Sequence, residues 1–370
     1  MEEIVPGVFR ILQKGRIHAF MPPVNIYAMP GRDGLIFDAG YGTRHAVAQL
    51  RRGLSQVAAV CRRRGLPCRF ARVLPSHAHP DHFAGLAAIS RFTGAEIWLT
   101  RKMADRIGSR LTYRNAYATD PTRPSGQIRK SSAGRWLTIL ESGSESLYEK
   151  LYGMYFVPRP DRIVSEREAL TVNGRQWQVI ATPGHSDDHI GLYDSDSGVL
   201  LGGDNVLRSV TTWLGPPGSD LAAYVRTLCL MAALPGLKLI LGAHGSPVTD
   251  PRQRIADILE WRERRTRQVL DAVMEAGPGG IGAGRLVRQL YRGEGLGKWY
   301  MAEGWVMLTL DYLVESQRVR TIRNRGRLRF VRGDHAPEDR VLLPLVSPHE
   351  RQVPSCRIHD PAHRIAGEKG

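Results

Sequence analysis

The chain opens with short segments in which apolar and polar positions alternate. Gly7-Val8-Phe9-Arg10-Ile11-Leu12 and Val24-Asn25-Ile26-Tyr27-Ala28-Met29 follow the two-residue period of a strand, and Gly34–Gly40 is an apolar run that ends on Asp38 and a turn. Val47, Leu50, Leu54, Val57 and Cys61 then recur at three- and four-residue steps with arginines on the other face, which predicts an amphipathic helix. Ala71–Ser76 predicts a strand that runs into a histidine-rich loop at His77. Phe83–Phe92 predicts a helix stopped by Thr93-Gly94, and Glu96–Leu99 another strand. Alternation of strand and helix in this order is the signature of an α/β fold.

The pattern breaks down over about 101–142, where Asn115–Gly134 is rich in Thr, Ser, Pro, Gly and Arg and predicts a mobile insertion or lid. A helix over Glu145–Tyr155 brings the chain back. Strands come next at Ala169–Val172, Trp177–Thr182, His189–Tyr193 and Val199–Leu201, with Asn173-Gly174 as a hairpin turn. Leu221–Leu234 predicts a helix and Leu237–Leu241 a last buried strand. At Pro251 the character changes. One long arginine-laden helix to Glu275, a second over Ala283–Tyr291, a third over Met301–Ser316 and a hairpin of Val319–Ile322 with Leu328–Val331 have the outline of a winged helix. The expected organisation is a catalytic domain over 1–250, a winged-helix-like domain over 251–334, and a disordered Pro-, His- and charge-rich tail over 335–370.

Composition narrows the class. Hydrophobic residues at 42% and charged residues at 24% exclude a disordered chain, a collagen and a coiled coil. No run approaches the ~20 apolar residues of a membrane span, and MEEIVPGVFR lacks the basic and apolar regions of a secretory signal. The four cysteines have no C-x-x-C spacing, so neither a disulfide scaffold nor a cysteine metal site is expected, and a cytoplasmic location is. The net charge is +16, concentrated in two stretches: 17 Lys/Arg against 9 Asp/Glu over Arg252–Arg332, and 9 against 2 over Arg101–Arg135. Such a field attracts anions, whether nucleic acid, acidic lipid or a phosphorylated carrier, although solvated arginine faces would give the same count.

The chemistry concentrates in Ser76-His77-Ala78-His79-Pro80-Asp81-His82-Phe83, the pattern H-x-H-x-D-H at the end of a strand and the start of a helix. Three imidazoles this close repel one another when protonated, and a bound cation removes that cost. Four more polar residues sit beside glycines at the ends of apolar strands, where an α/β protein gathers side chains into one site: Asp38, His185 in Pro183-Gly184-His185, Asp204 in Gly202-Gly203-Asp204 and His244 in Gly242-Ala243-His244-Gly245.

In this order these residues resemble the metallo-β-lactamase-fold hydrolase superfamily over about Val8–Val248. The resemblance implies an αββα sandwich, with His77, His79 and His185 binding one metal ion, Asp81, His82 and His244 a second, and Asp204 bridging both. Asp38 would hold the histidine loop. Two zinc ions are expected, with iron or manganese as alternatives. A shared hydroxide would attack a carbonyl carbon or phosphorus, with Asp81 orienting the nucleophile and carrying a proton to the leaving group. His189, in Ser186-Asp187-Asp188-His189, is either a substrate contact or a structural hydrogen-bonding group.

Within the superfamily, Gly203-Asp204-Asn205 lacks the cysteine or serine arrangement of true β-lactamases. His79 stands where the flavodiiron branch has glutamate, and the 40 residues from Asp204 to His244 leave no room for the large inserted domain of the RNA-processing branch. The glyoxalase II-like group of thioesterases and lactonases remains. Trp261-Arg262-Glu263-Arg264-Arg265, with the helices and the arginine-rich hairpin after it, is similar to the subgroup with an appended winged helix, which includes acyl thioesterases and a β-lactamase-like endoribonuclease. The expected activity is hydrolysis of a small anionic thioester or ester, of acyl-coenzyme A or glutathione-thioester type. The alternatives are single-strand-specific RNA cleavage, lactone hydrolysis and non-enzymatic nucleic-acid binding. The winged helix is expected to shape the substrate entrance or a homodimer interface. Arg110, Arg114, Arg123, Arg129 and Lys130 of the insertion are candidate contacts to an anionic substrate.

Overall fold

In the computed structural model, residues 1–15, 21–118, 120–127, 145–293, 296–334 and 342–344 are described. Strands β1 (Glu2–Val5), β2 (Val8–Gln13), β3 (Val24–Met29), β4 (Leu35–Phe37), β5 (Arg72–Leu74), β6 (Glu96–Leu99) and β7 (Arg162–Ile163) form one sheet in sequential order, antiparallel as far as β4 and parallel beyond it. Strands β8 (Ala169–Val172), β9 (Arg175–Ala181), β10 (Ile190–Asp194), β11 (Val199–Gly203) and β12 (Leu239–Gly242) form a second sheet in the order β12-β11-β10-β9-β8, with only β11 and β12 parallel.

The core lies between the sheets, where Ile26, Ile36 and Val73 of the first join Trp177, Val179, Leu192 and Leu201 of the second. Helix α1 (Arg44–Arg63) covers the first sheet with Leu50, Leu54, Val57 and Cys61, four of the five positions expected from the period; Thr43 caps it by accepting the Ala46 N–H. Helices α2 (Pro80–Phe83) and α3 (Leu86–Thr93) stand where one helix is expected. The break falls at Gly85, whose N–H donates to the Gly40 carbonyl and where a Cβ would lie 2.1 Å from the Ala39 oxygen. The turn after β4 therefore docks against the end of the histidine loop. Helix α3 ends at Gly94 in the left-handed region, as its sequence predicts.

The expected mobile insertion is in its first half regular structure: α4 (Arg101–Ile107), capped by Thr100, α5 (Arg110–Ala116), closed by a Ser109–Thr112 capping box, and the short α6 (Pro124–Gln127). A buried Met103, Arg106 and Ile107 anchor α4. The polar caps that start these short helices resemble loop composition, which is why the sequence reads as irregular there. Strands β1 and β7 have no counterpart among the expected elements, each being too short to show a period. Residues 128–144, with Arg129 and Lys130, lie outside the described residues. Helix α7 (Glu145–Tyr152) comes next.

Helix α8 (Leu221–Ala232), capped by Asp220, packs on the outer face of the second sheet against Leu200 and Ile240. Helix α9 (Pro251–Glu275) begins with Asp250 as cap and Pro251 in its first turn. After it come α10 (Ala283–Leu290), α11 (Leu296–Glu315) and the hairpin β13 (Val319–Asn324) with β14 (Arg327–Arg332). These last elements have their own core around Val273, Leu286, Val306, Leu310 and Phe330. Part of the expected disordered tail is ordered: Leu342 fills that core, the Leu342 and Leu343 N–H groups donate to the two carboxylate oxygens of Glu263 at 2.9 Å each, and Tyr312 donates to the Leu342 carbonyl. Residues 335–341 and 345–370 lie outside the described residues. No described helix is long and apolar enough to cross a membrane.

Candidate metal centre

The two sheets deliver their polar side chains to one place. β5 ends at Leu74, and the next residues carry His77 and His79 into the loop before α2, where Asp81 and His82 lie on the first turn. β9 leads to His185, β11 to Asp204 and β12 to His244. His77, His79 and His185 bring one nitrogen each together: His79 Nδ1 is 2.8 Å from His77 Nε2 and 2.9 Å from His185 Nε2. His77, His82 and Asp204 form a second trio, and Asp81, His82 and His244 a third. The trios overlap, so all seven side chains expected from the sequence lie in one continuous cluster.

Asp204 spans the cluster. Its Oδ2 lies 3.4 Å from His185 Nε2, while its Oδ1 lies 3.4 Å from His244 Nε2 and 3.6 Å from His82 Nε2. Asp81 faces His82 at 3.6 Å and His244 at 3.5 Å. Asp204 Oδ1 and His82 Nε2 are buried with no hydrogen-bond partner. Buried polar atoms without partners are costly, and these two lie 3.6 Å from each other, as two groups facing a shared cation would.

Four of the five rings are fixed from behind. His185 Nδ1 donates to the Trp213 carbonyl at 2.8 Å, His244 Nδ1 to the Pro23 carbonyl at 2.7 Å, and His77 Nδ1 lies 3.0 Å from Ser76 Oγ. His82 Nδ1 sits 3.1 Å from Asp38 Oδ2 and 3.3 Å from Ser76 Oγ. A proton held on Nδ1 leaves the Nε2 lone pair free for a cation, the arrangement found behind metal-ligating histidines. Asp38, fully buried with φ of 66°, also accepts the Ser76 N–H at 2.7 Å and so ties the histidine loop to the end of β4.

The electrostatics of these side chains among themselves split the histidines. Burial and mutual repulsion hold His77 well below the usual imidazole range, and burial followed by repulsion from His185 does the same to His79; burial also lowers His185. His82 and His244 go the other way. Burial opposes their charge, but Asp38, Asp81 and Asp204 around His82, and Asp204 and Asp81 beside His244, outweigh it and raise both well above that range. The same contacts overcome burial at the carboxylates, lowering Asp81 to about 2 and Asp204 further below its ordinary value. Without a bound cation, the raised pKa values of His82 and His244 favour protons that would offset the charge of Asp81 and Asp204.

His189 is buried. Its Nε2 accepts the Asp204 N–H at 3.1 Å, which leaves the proton on Nδ1, 2.7 Å from Thr182 Oγ1; burial pushes its pKa down to about 3. The ring packs so closely on Gly203 that a Cβ there would lie 2.4 Å from Nε2, and Gly203 takes φ of 52°. His189 thus orients the Asp204 backbone.

Several residues of the site have no sequence signal. Arg106 of α4 donates to Asp188 at 2.9 Å and to Ser186 at 3.0 Å, and Asp188 accepts the Ala78 N–H at 2.9 Å. Tyr117 stands over Arg106 with its ring 5.9 Å from His79 and donates to the Ala78 carbonyl. Of the five insertion residues named as candidate substrate contacts, Arg110 pairs with Glu149, and Arg123 with Asp220 at 3.7 Å and Glu315 at 3.2 Å.

The chain is similar to known proteins over most of this region. A family model described as the metallo-beta-lactamase superfamily matches residues 21–244. An atrochrysone carboxyl ACP thioesterase of Aspergillus novofumigatus is 34% identical over 146 residues, 38% of this chain and 44% of its own length. A lactamase-like protein of Trichophyton equinum is 30% identical over 180 residues, 47% of this chain and 46% of its own length. The matched stretch therefore spans less than half the length of these curated relatives. A metallo-beta-lactamase family protein of Thermus thermophilus is 25% identical with a TM-score of 0.66, covering 89% of this chain and 99% of its own. A beta-lactamase domain protein of Burkholderia ambifaria has a TM-score of 0.69 at 20% identity, covering 90% and 93%. With the motif residues gathered at one centre and more than half of the chain matched by the family model, this protein belongs to the metallo-beta-lactamase superfamily.

Proposed function

We propose that the chain is a metal-dependent hydrolase of thioesters or esters that holds two metal ions, the first on His77, His79 and His185, the second on Asp81, His82 and His244, with Asp204 between them. The observation that carries this reading is the Asp204 carboxylate, which turns one oxygen towards His185 and the other towards His82 and His244. Five imidazoles and two carboxylates are an N/O donor set that suits zinc, with iron and manganese as alternatives. Bound there, such a pair supplies Lewis acidity and lowers the pKa of water to about 7.

The chain's own residues do the rest. Asp81 is deprotonated at neutral pH and its carboxylate is more exposed than that of Asp204, 16% against 9%, so it can accept a hydrogen bond from the attacking water and pass the proton to the leaving thiol or alcohol. Ser76, Asp38, Trp213 and Pro23 hold the rings of His77, His82, His185 and His244 from behind. The thioesterase named among the relatives and the positive field of the chain favour a thioester on an anionic carrier of the coenzyme A or carrier-protein kind.

We read 251–334 as a winged-helix-like domain. The buried face of α11, with Val306, Leu310 and Leu313, suits packing, so the unit would shape the substrate entrance or a homodimer interface in a cytoplasmic protein. The test is a panel of thioesters, lactones, phosphodiesters and labelled single-stranded RNA offered to zinc-loaded protein. Thioester turnover that a chelator abolishes and zinc restores is expected. RNA cleavage without thioester turnover would replace this reading with the endoribonuclease.

A further inference from the structure

The segment Trp261–Arg265 contributes no side chain to the metal cluster, yet it holds a buried charge without a counter-ion. Arg262 is 4% exposed. The acids nearest to it in helix α9 are taken: Glu260 pairs with Arg264, and Glu263 with Arg267. Arg262 has no carboxylate partner among the described residues, and its Nε has no hydrogen bond. Its guanidinium lies over Trp261 at 4.8 Å and Tyr224 at 5.5 Å, and its Nη2 donates to the Thr212 carbonyl at 2.8 Å. Burying an unpaired cation costs several kcal/mol, so packing alone gives no reason for an arginine here.

The reason is one peptide away. The carbonyl of Trp213, the next residue, accepts the His185 Nδ1 proton at 2.8 Å, and Thr212 Oγ1 lies 3.3 Å from the same nitrogen. The segment is also gripped from α11, where a Cβ on Gly304 would lie 3.4 Å from both Gly215 and the Trp213 ring. With the Thr212 carbonyl held, the 212–213 peptide plane is fixed, and the Trp213 carbonyl in the next peptide is left with only the two backbone rotations of Trp213 on its approach to His185.

We propose that Arg262 is a positioning residue for the metal centre: it holds the Thr212–Trp213 peptide, the one next to the Trp213 carbonyl that orients His185, and so couples helix α9 to the site. This rests on His185 being a ligand. It predicts a selective effect, because His82 and His244 are held by Asp38 and Pro23 and have no link to Thr212.

The test uses full-length metal-free protein titrated with zinc against a chromophoric chelator, with thermal melting of the metal-free form as a second measurement. Arg262→Met should weaken one of two zinc equivalents by roughly 10- to 100-fold, the range for residues behind a ligand, and leave the other unchanged. Arg262→Lys, which keeps a donor and the charge, should recover most of the loss. Arg252→Met is the control. Arg252 lies on the same helix and donates to the carbonyls of Ala232, Leu234 and Leu237, far from His185 in the bonding network; its loss should leave both equivalents intact at a similar change in melting. If Arg262→Met does not fold, Arg262→Gln, shorter and uncharged, takes its place with the same expected loss. Wild-type zinc binding in the Arg262 variants, or an equal loss in Arg252→Met, would overturn the proposal. A wild-type chain that binds zinc but hydrolyses nothing in the panel would defeat the proposed reaction and leave this comparison standing.

Discussion

Arg106 and Asp188 form an ion pair at 2.9 Å with side-chain exposures of 8% and 0%, and this pair locks the inserted helix α4 to the loop that carries His185. The second Asp188 oxygen accepts the Ala78 N–H, between His77 and His79. Two histidine-bearing loops from different sheets are thereby held by one carboxylate. Burial raises the Asp188 pKa, Arg106 opposes that, and Arg106 in turn stays firmly charged.

Arg106→Ala should therefore destabilise the fold by about 3–5 kcal/mol, the cost of leaving a buried charge unpaired. Asp188→Asn paired with Arg106→Met should cost less than Arg106→Ala alone, because no uncompensated buried charge remains; Asp187, which also pairs with Arg106, is exposed to water. Urea unfolding of the variants decides; equal losses would show that the pair does not act as a unit.

Asp204→Asn should keep the fold and lose most turnover, since the amide cannot present two anionic oxygens to the two halves of the cluster. Circular dichroism and metal content should separate the two effects: native secondary structure with reduced metal. An unfolded variant would show instead that Asp204 is needed to neutralise His82 and His244.

Metal binding should release protons at neutral pH. His82 and His244 have raised pKa values in the metal-free site, so each carries a proton that a cation must displace. Zinc titration calorimetry in buffers of different ionisation enthalpy measures the number, and affinity should rise with pH until the displaced protons are already gone. The linkage also sets a stability window for the metal-free protein. The two raised histidines contribute stability that is complete below their unfolded value of 6.5 and lost as pH rises through the folded values. Asp81 and Asp204 contribute stability present above their unfolded value of 3.8 and lost as pH falls through their lowered ones.

Arg123 joins the insertion to Asp220, the cap of α8, and to Glu315 at the end of α11, close to where Asp311 accepts the Ser125 N–H at 2.9 Å. These pairs are half-exposed and worth under about 1 kcal/mol each. Arg123→Ala should leave the melting temperature nearly unchanged while speeding limited proteolysis within 101–145. A raised KM for anionic substrates, with proteolysis unaltered, would favour direct substrate contact instead.

Local order along the chain was enough to determine the α/β alternation, the long helix from Pro251 and the identity of the clustered side chains. Strand period, helix caps and H-x-H-x-D-H are all written in residues close together. His185, Asp204 and His244 were legible for a related reason: each comes after an apolar strand and abuts glycine, and parallel or neighbouring strands deliver their ends to one edge. The supports were not legible. Arg106 and Asp188 are 82 positions apart, and Arg262 meets Thr212 across 50. An arginine that holds a carbonyl or a buried carboxylate looks, in the sequence, like any other arginine of a basic chain. Only packing decides which of them lose water, and a charge without water must find a partner; that requirement, absent from local pattern, is what assigned Arg106, Asp188 and Arg262 their places around the centre.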